Sequence, residues 1–224
     1  DYSQIELRII AALSEEENMI QAFKNGQDIH ATTAAKVFGV PLEEVTREQR
    51  GNAKAVNFGI LYGQGAFTLS QQTGMTRKEA KELIAAYYDT YPTLKAYMAK
   101  QVDFARENGY VETVLHRRRY LKNINSQNGM VRSGDERNAV NAPIQGSAAD
   151  IIKIAMIRIQ NRMETSNFKS KMLLQVHDEL VFDMHKEETE TLPSLIKEEM
   201  ENAFALAVPL DVEMGYGNNW LQAH

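Results

Sequence analysis

Two apolar runs, KMLLQV (171–176) and LVFDM (180–184), are separated by His177, Asp178 and Glu179. No other feature restricts the possible folds as much. Two such runs across a short polar interval signal an antiparallel hairpin, here without the usual Asn-Gly turn. Charged residues between two core strands need a reason, because burying them unpaired is costly. An ordinary turn is one reading of Asp178, since aspartate is common in turns. The other is oxygen ligation of magnesium, which favours one or two carboxylates together with phosphates and water. Asp178 alone does not decide between them; a second carboxylate brought beside it by the fold would.

A candidate for that second carboxylate opens the chain. DYSQIELRI (1–9) begins on Asp1, and Ile5, Leu7, Ile9 and Ile10 suit a strand passing into a helix. Such a strand ordinarily has another in front of it, so the nonapeptide reads as an internal segment of a longer protein. Between these ends the periodicity is mainly helical. Helices are expected over Ile9 to Phe23 and from an Asp28 N-cap to Phe38. A third is expected from about Thr46 to Leu61, a fourth from the capping box Thr76–Glu79 to Tyr91, and a fifth from Pro92 to Asn108. Residues 110–135 read as irregular with short strand pieces. Residues 135–163 read as two helical parts bent at Pro143 and Gly146, the second capped by Ser147 with Asp150 three residues on. A helix over about 187–207 and a strand near Leu210–Met214 complete an α+β pattern, many helices serving a small antiparallel sheet.

Net charge, 25 cations against 30 anions, is −5, which by itself argues against a polyanionic partner. Its distribution matters more. HRRRYLK (116–122) is strongly basic, Arg47, Arg50 and Lys54 form a second group, and the acidic excess sits largely in residues 186–201. Locally basic surfaces of this kind remain compatible with phosphate ligands. The chain has no cysteine, which excludes disulfides, thiolate catalysis and Cys-type zinc sites. No apolar stretch reaches the length of a membrane span.

Two helical stripes carry chemistry. Arg50, Lys54, Phe58 and Tyr62 step by four, which places two cations and two aromatics on one face. That could be a phosphate clamp beside a stacking platform, or an ordinary amphipathic helix with core aromatics. Gly59 and Gly63 favour the first by clearing space beside the rings, at a cost of roughly 1 kcal/mol each in a helix interior. Arg137, Asn141 and Gln145 also step by four, a row able to hydrogen-bond minor-groove acceptors or a sugar-phosphate backbone, or simply a polar face.

In this order the features resemble those of the family A DNA polymerases. DYSQIELRI is similar to the family's first catalytic motif, RGNAKAVNFGILYG (50–63) to its fingers-helix motif and QVHDELVF (175–182) to its second catalytic motif. DIHATTAAKVFG, ERNAVNAPIQGSAADIIK and the closing NNWLQAH resemble family segments too, so the likeness covers nearly the whole chain. It implies a mainly helical fingers subdomain (13–110) and a small antiparallel palm sheet, with the first palm motif at 1–12 and the palm with its hairpin at 111–224. It implies magnesium-dependent transfer of a deoxynucleotide to a primer 3′-hydroxyl, with primer-template DNA and dNTP as partners. Two Mg2+ ions would be held by Asp1, Asp178 and the Tyr2 carbonyl, and Glu179 would be a nearby, less essential acid. Arg50, Lys54 and His30 would grip the triphosphate, with Lys54 also able to protonate the leaving pyrophosphate. Phe58 would stack on the nucleotide, Glu6 would exclude a ribose 2′-hydroxyl and Tyr62 would guard the templating position. Arg137, Asn141, Gln145 and His177 would read the minor-groove side of the primer terminus. A cytoplasmic, nucleoid-associated bacterial protein is implied, with no membrane partner.

The sequence departs from the family pattern at His116, where glycine is frequent before the Arg-Arg pair, and at Gly51, where a basic or polar residue is common. The thumb, the earlier palm strands and any exonuclease region would precede Asp1 in the family. The expectation is that Asp1 lacks the strand that should fix it and that the chain alone is nearly inactive. Two other functions use the same residues: a metal-dependent nuclease, which has no use for the Arg50–Lys54–Phe58 stripe, and a non-catalytic nucleotide- or DNA-binding module.

Overall fold

The computed structural model describes residues 1–223; His224, the end of the NNWLQAH segment, lies outside them. The architecture is α+β as expected, with two two-stranded antiparallel sheets among the described residues. The expected capping residues work as read. Asp28 accepts from the backbone N–H groups of His30 and Ala31 at 2.9 and 3.2 Å and starts α3 (Ile29–Phe38), which ends on left-handed Gly39. The expected capping box of Thr76 and Glu79 starts α6 (Arg77–Thr90), and a second one, Thr46 with Gln49, which the sequence reading did not name, starts α4 (Arg47–Leu61). Pro92 opens α7 (Pro92–Asn108), and Gly109 at φ +77° closes it. Between α4 and α6 lies α5 (Ala66–Thr73).

Four expectations are corrected. The single helix over Ile9–Phe23 is two, α1 (Ile5–Leu13) and α2 (Glu17–Lys24). The break has a local cause. Ser14 bonds back to the Ile10 carbonyl, Glu15 adopts φ +53°, and the buried Glu16 carboxylate takes the N–H of Asn18 and the N–H and hydroxyl of Thr93. A carboxylate tied to another helix in this way cannot also lie on a continuous helical face.

The bent pair over 135–163 is instead one long helix, α8 (Gly129–Thr165), with Pro143 inside it. Proline removes one ladder bond and crowds the preceding turn. Ser147 and Asp150, read as a cap, serve tertiary contacts. The Ser147 hydroxyl donates to the Pro143 carbonyl and accepts from Val114 N–H; Asp150 accepts from the Thr113 hydroxyl at 2.6 Å and from Arg117 Nε at 3.0 Å. These bonds clamp the turn between β1 (Tyr110–Glu112) and β2 (Arg118–Tyr120) onto α8. Gly146 lets the turn in, since a Cβ there would stand 2.5 Å from Thr113 Cγ2. His116 adopts φ +60° in this turn, which is the conformation glycine adopts without penalty.

The third and fourth corrections are at the C-terminal end. The helix expected over 187–207 is limited to α9 (Thr191–Glu201), preceded by a 3-10 turn over Lys186–Glu188. The strand near Leu210–Met214 is a single bridge, Val212 with Tyr2. The hairpin itself forms as β3 (Lys171–Val176) and β4 (Glu179–Asp183), with Val176 opposite Glu179, a register irregularity between Met172 and Leu174, and a two-residue turn of His177 and Asp178. Near the end of the chain, Trp220–Ala223 form a final helical turn, α10.

One core, with Tyr2, Leu7, Ile10, Met19, Tyr87, Ile151 and Leu180 among its members, joins α1, α2, α6, α8 and the hairpin; a smaller one around Val111, Leu121 and Ala139 lies beneath the β1–β2 ribbon. Replacing Asp150 by alanine leaves the buried Thr113 hydroxyl without its carboxylate partner and frees the exposed Arg117 from the clamp. Urea unfolding should show a loss of roughly 1–3 kcal/mol, and an unchanged stability would mean that the clamp is not formed.

Candidate nucleotide and metal site

Asp1 belongs to an extended piece of chain held on both sides. Tyr2 N–H donates to the Asp178 carbonyl at 3.2 Å, Ser3 N–H to the Asp211 carbonyl at 2.9 Å, and Glu213 N–H to the Asp1 carbonyl at 2.9 Å; the Asp1 nitrogen donates to the Glu213 carbonyl at 3.0 Å. Tyr2 is buried, its hydroxyl donating to the Met200 carbonyl at 2.8 Å. Arg8, also buried, ties α1 to the same C-terminal segment through the Pro209 carbonyl and the Asp211 carboxylate. The expected looseness of Asp1 is therefore not what the structure has. The hairpin turn and residues 211–213 flank it.

This docking makes Asp1 and Asp178 backbone neighbours in a cleft of about 710 Å3. Of the residues singled out in the sequence, the cleft is lined by Asp1, Tyr2, Glu6, Phe58, Tyr62, Gln145, His177 and Asp178. Asp178 reaches it because the hairpin turns at His177, whose φ of +54° lies in the left-handed region, one that histidine visits more often than most residues. Among the described residues no hydrogen bond or ion pair from another side chain engages the Asp1 or Asp178 carboxylate. Nor do three or more His, Cys, Asp or Glu side chains gather into a metal-binding group. Two carboxylates and a nearby backbone carbonyl form an all-oxygen donor set, which suits magnesium when phosphate and water complete its shell. Glu179, whose charge acts on the Asp1 amino group, accepts from Trp220 Nε1 at 2.8 Å.

Phe58 of α4 and its C-cap Tyr62 line the same cleft. Phe58 and Tyr62 are nearly parallel, 14° apart in plane with centroids at 6.5 Å. The Tyr62 hydroxyl donates to Glu6 Oε2 at 2.8 Å across the cleft. Burial pushes the Glu6 carboxyl up, a shift opposed by the Tyr62 bond and reinforced by the charge of Asp178. Burial and Glu6 together push the Tyr62 hydroxyl up to about 12, so it stays a donor. The glycines have a different use from the one expected. A Cβ on Gly63, at φ +66°, would stand 2.7 Å from Arg137 Cγ, and one on Gly59 would stand 3.1 Å from Gln64 Oε1. They admit neighbouring side chains, and Gly63 thereby brings Arg137 against the end of α4.

Arg50 and Lys54 continue the stripe beyond the cleft lining and are exposed. Arg50 Nε donates to Asp28 Oδ2 at 2.6 Å. His30 is buried beside Phe58, ring centroids 5.7 Å apart. The amide of Asn57 lies 2.9 Å from His30 Nδ1; an amide N–H can only donate, so Nδ1 accepts and the proton sits on Nε2. Burial lowers the His30 pKa to about 4, with Arg50 and Lys54 adding to the effect and Asp28 opposing it. Asn141 and Arg137 lie on α8 with Gln145 but outside the cleft lining. Sequence reasoning missed Gln4, Glu213 and Asn57. Gln4 lines the cleft in a left-handed conformation with a buried side-chain oxygen lacking a partner, and Glu213 lines it beside Asp1. No periodicity marks either one, since both belong to irregular backbone.

A sequence model described as DNA polymerase family A matches residues 1–222. The chain belongs to DNA polymerase family A. Family relatives include DNA polymerase I of Caldicellulosiruptor bescii, 52% identical over 99% of this chain, and DNA polymerase I of Bacillus subtilis (strain 168), 52% identical over all of it. The chain spans about a quarter of these relatives' length, 26% and 25%. Among solved structures, the POL domain of Pol1 from M. smegmatis in complex with DNA primer-template and dNTP superposes with a TM-score of 0.95 at 47% identity. That match covers 100% of this chain and 39% of the other. Polymerases of this family generally use divalent metal ions. Among the described residues no helix is long and apolar enough to cross a membrane.

The His30 assignment has a direct consequence. Its folded pKa lies below the ordinary 6.5, so the unfolded state binds the extra proton, and the neutral ring's contribution to stability is lost as pH falls from about 6.5 towards about 4. Imidazole carbon shifts followed by NMR should keep His30 neutral down to pH of about 5. A midpoint near 6.5 would contradict the buried Nδ1 acceptor.

Proposed function

We propose that this chain carries the nucleotidyl-transfer site of a template-directed DNA polymerase, adding deoxynucleotides from dNTP to a primer 3′-hydroxyl with two Mg2+ ions. The observation that carries the reading is the docking of Asp1 beside Asp178 in a cleft that Phe58 and Tyr62 also line. The M. smegmatis Pol1 domain, solved with primer-template and dNTP, supports the same assignment.

In this reading Asp1, Asp178 and the Tyr2 carbonyl would hold the ions, which when bound would supply positive charge against the phosphates. The chain's own residues bind and orient. Phe58 offers a ring face to the incoming base, and Arg50 and Lys54 extend two cations along the same helix face to the triphosphate. Lys54 stands as a proton donor for pyrophosphate. His30, neutral at physiological pH, contributes Nε2–H rather than a charge. Glu6 occupies the place a ribose 2′-hydroxyl would need, and Tyr62 holds it there until a nucleotide enters. Gln145 and His177 face the cleft where a primer terminus would lie, with Asn141 and Arg137 following along α8 towards the template; Glu179 supports the hairpin. Minor-groove acceptors are nearly alike in all base pairs, so such contacts would suit copying of any sequence. Residues 1–12 and 111–224 would then be palm and 13–110 fingers, and a DNA substrate would place the protein at the nucleoid.

Single-nucleotide incorporation on a primer-template tests the reading. The chain alone should add the complementary dNTP weakly, and Asp178→Ala should remove that addition. Magnesium-dependent shortening of the primer without dNTP would indicate a nuclease instead, and nucleotide binding untouched by Asp178→Ala would indicate a non-catalytic module. Glu6→Ala should raise the affinity for a ribonucleotide relative to its deoxy form by on the order of 10–100-fold, measured by competition; an unchanged ratio would remove Glu6 from that role.

A further inference from the structure

Asp28 was legible in the sequence as a helix cap, and the structure gives its carboxylate a second occupation. Oδ1 accepts from the His30 and Ala31 N–H groups at 2.9 and 3.2 Å, and Oδ2 accepts from Arg50 Nε at 2.6 Å. The two oxygens thus join the N-terminus of α3 to the stripe of α4. The Arg50 side chain is 46% exposed and that of Asp28 39%. At such exposure an ion pair adds little to stability, so its use is better sought in orientation. A free arginine samples many rotamers, and ordering it on a ligand carries an entropic cost. A bond through Nε fixes the guanidinium plane while leaving both terminal nitrogens for an anion. Among the described residues neither terminal nitrogen of Arg50 is engaged, and Lys54 forms no ion pair one turn further on. Burial pushes the Asp28 carboxyl up, but Arg50 and the two N–H groups outweigh it and hold it below the usual carboxylate range. It is therefore ionised wherever a triphosphate would be bound.

We propose that Asp28 is a positioning residue for the phosphate grip, holding the Arg50 guanidinium by Nε so that its two terminal nitrogens meet the triphosphate together. The inference rests on the reading of Arg50 given above and deepens it. It also separates the two jobs of one carboxylate. Asparagine and serine cap a helix about as well as aspartate, but neither can accept from Arg50 Nε as a carboxylate does. Asparagine turns an amide N–H towards Arg50, and serine is too short.

The test is a double-mutant cycle read as the dissociation constant of Mg2+–dATP on the 224-residue chain. Arg50→Ala should weaken binding on the order of 30-fold. Asp28→Asn and Asp28→Ser should each weaken it by about 5-fold, with thermal midpoints close to the parent's. In the Arg50→Ala background the same Asp28 changes should add nothing, because a residue that acts through Arg50 has nothing left to position. Full multiplication of the two effects would make Asp28 a general support for the site and overturn the proposal. Unchanged or tighter binding in Asp28→Asn would also overturn it, showing Asp28 as a competitor of phosphate for Arg50. If Arg50→Ala itself left affinity unchanged, the phosphate-grip reading would fail first and take this inference with it.

Discussion

The extended segment at Asp1–Ser3 is wedged between two other pieces of chain, and the whole site depends on that contact. Its N–H groups reach the Asp178 carbonyl on one side and the Asp211 carbonyl on the other, and Glu213 returns a bond to the Asp1 carbonyl. Buried Tyr2 anchors it to the end of α9 through Met200, and buried Arg8 anchors the following helix to residues 209–211. Segments more than 170 residues apart in sequence are joined by bonds that each contribute about 1 kcal/mol. Each one fixes the height at which a carboxylate emerges. In a reaction governed by positioning, a shift of about 1 Å can reduce rate on the order of 100-fold, so this ladder matters more to the site than its modest energy indicates.

The second requirement is a rigid aromatic lining in the same cleft. Packing of α3 on α4 supplies it, through a buried polar chain running from His30 to Asn57 to Thr33 to the Tyr91 hydroxyl. Buried polar groups of this kind are tolerated when each has a partner, and here they hold the Phe58 ring against a neutral imidazole. Along the exposed side of the same helix pair, the charged residues remain available to a ligand. Asp28 sits where the two regimes meet. The Tyr62–Glu6 bond spans the open side of the cleft, linking α4 to α1. In the proposed reading, a nucleotide entering the cleft would have to part that pair.

Much of this was legible from sequence where the signal is local. Asp28, and Thr76 with Glu79, cap the helices they were read to cap, and the run KMLLQV forms a strand with the bounds expected. Signals that depend on distant partners misled. Ser147 and Asp150 look like a cap because their spacing suits one, yet Val114, Thr113 and Arg117 claim them from another part of the chain. The break at Ser14–Glu16 follows from the bonds of Glu16 to Thr93, which no local pattern encodes. Gly59 and Gly63 were read as making room for a ligand, and they make room for Gln64 and Arg137 instead. Glu213 and Gln4 escaped notice because irregular backbone has no period to betray it.

The central claim is that Asp1 and Asp178 form one metal site in the cleft that Phe58 and Tyr62 also line. Anomalous diffraction from crystals grown with Mn2+, primer-template and a non-hydrolysable dNTP tests it most directly. The account predicts anomalous peaks within coordination distance, about 2.0–2.3 Å, of both carboxylates, with the base of the nucleotide against Phe58. A metal bound by only one of the two aspartates, or peaks confined to the acidic helix over 191–201, would contradict it.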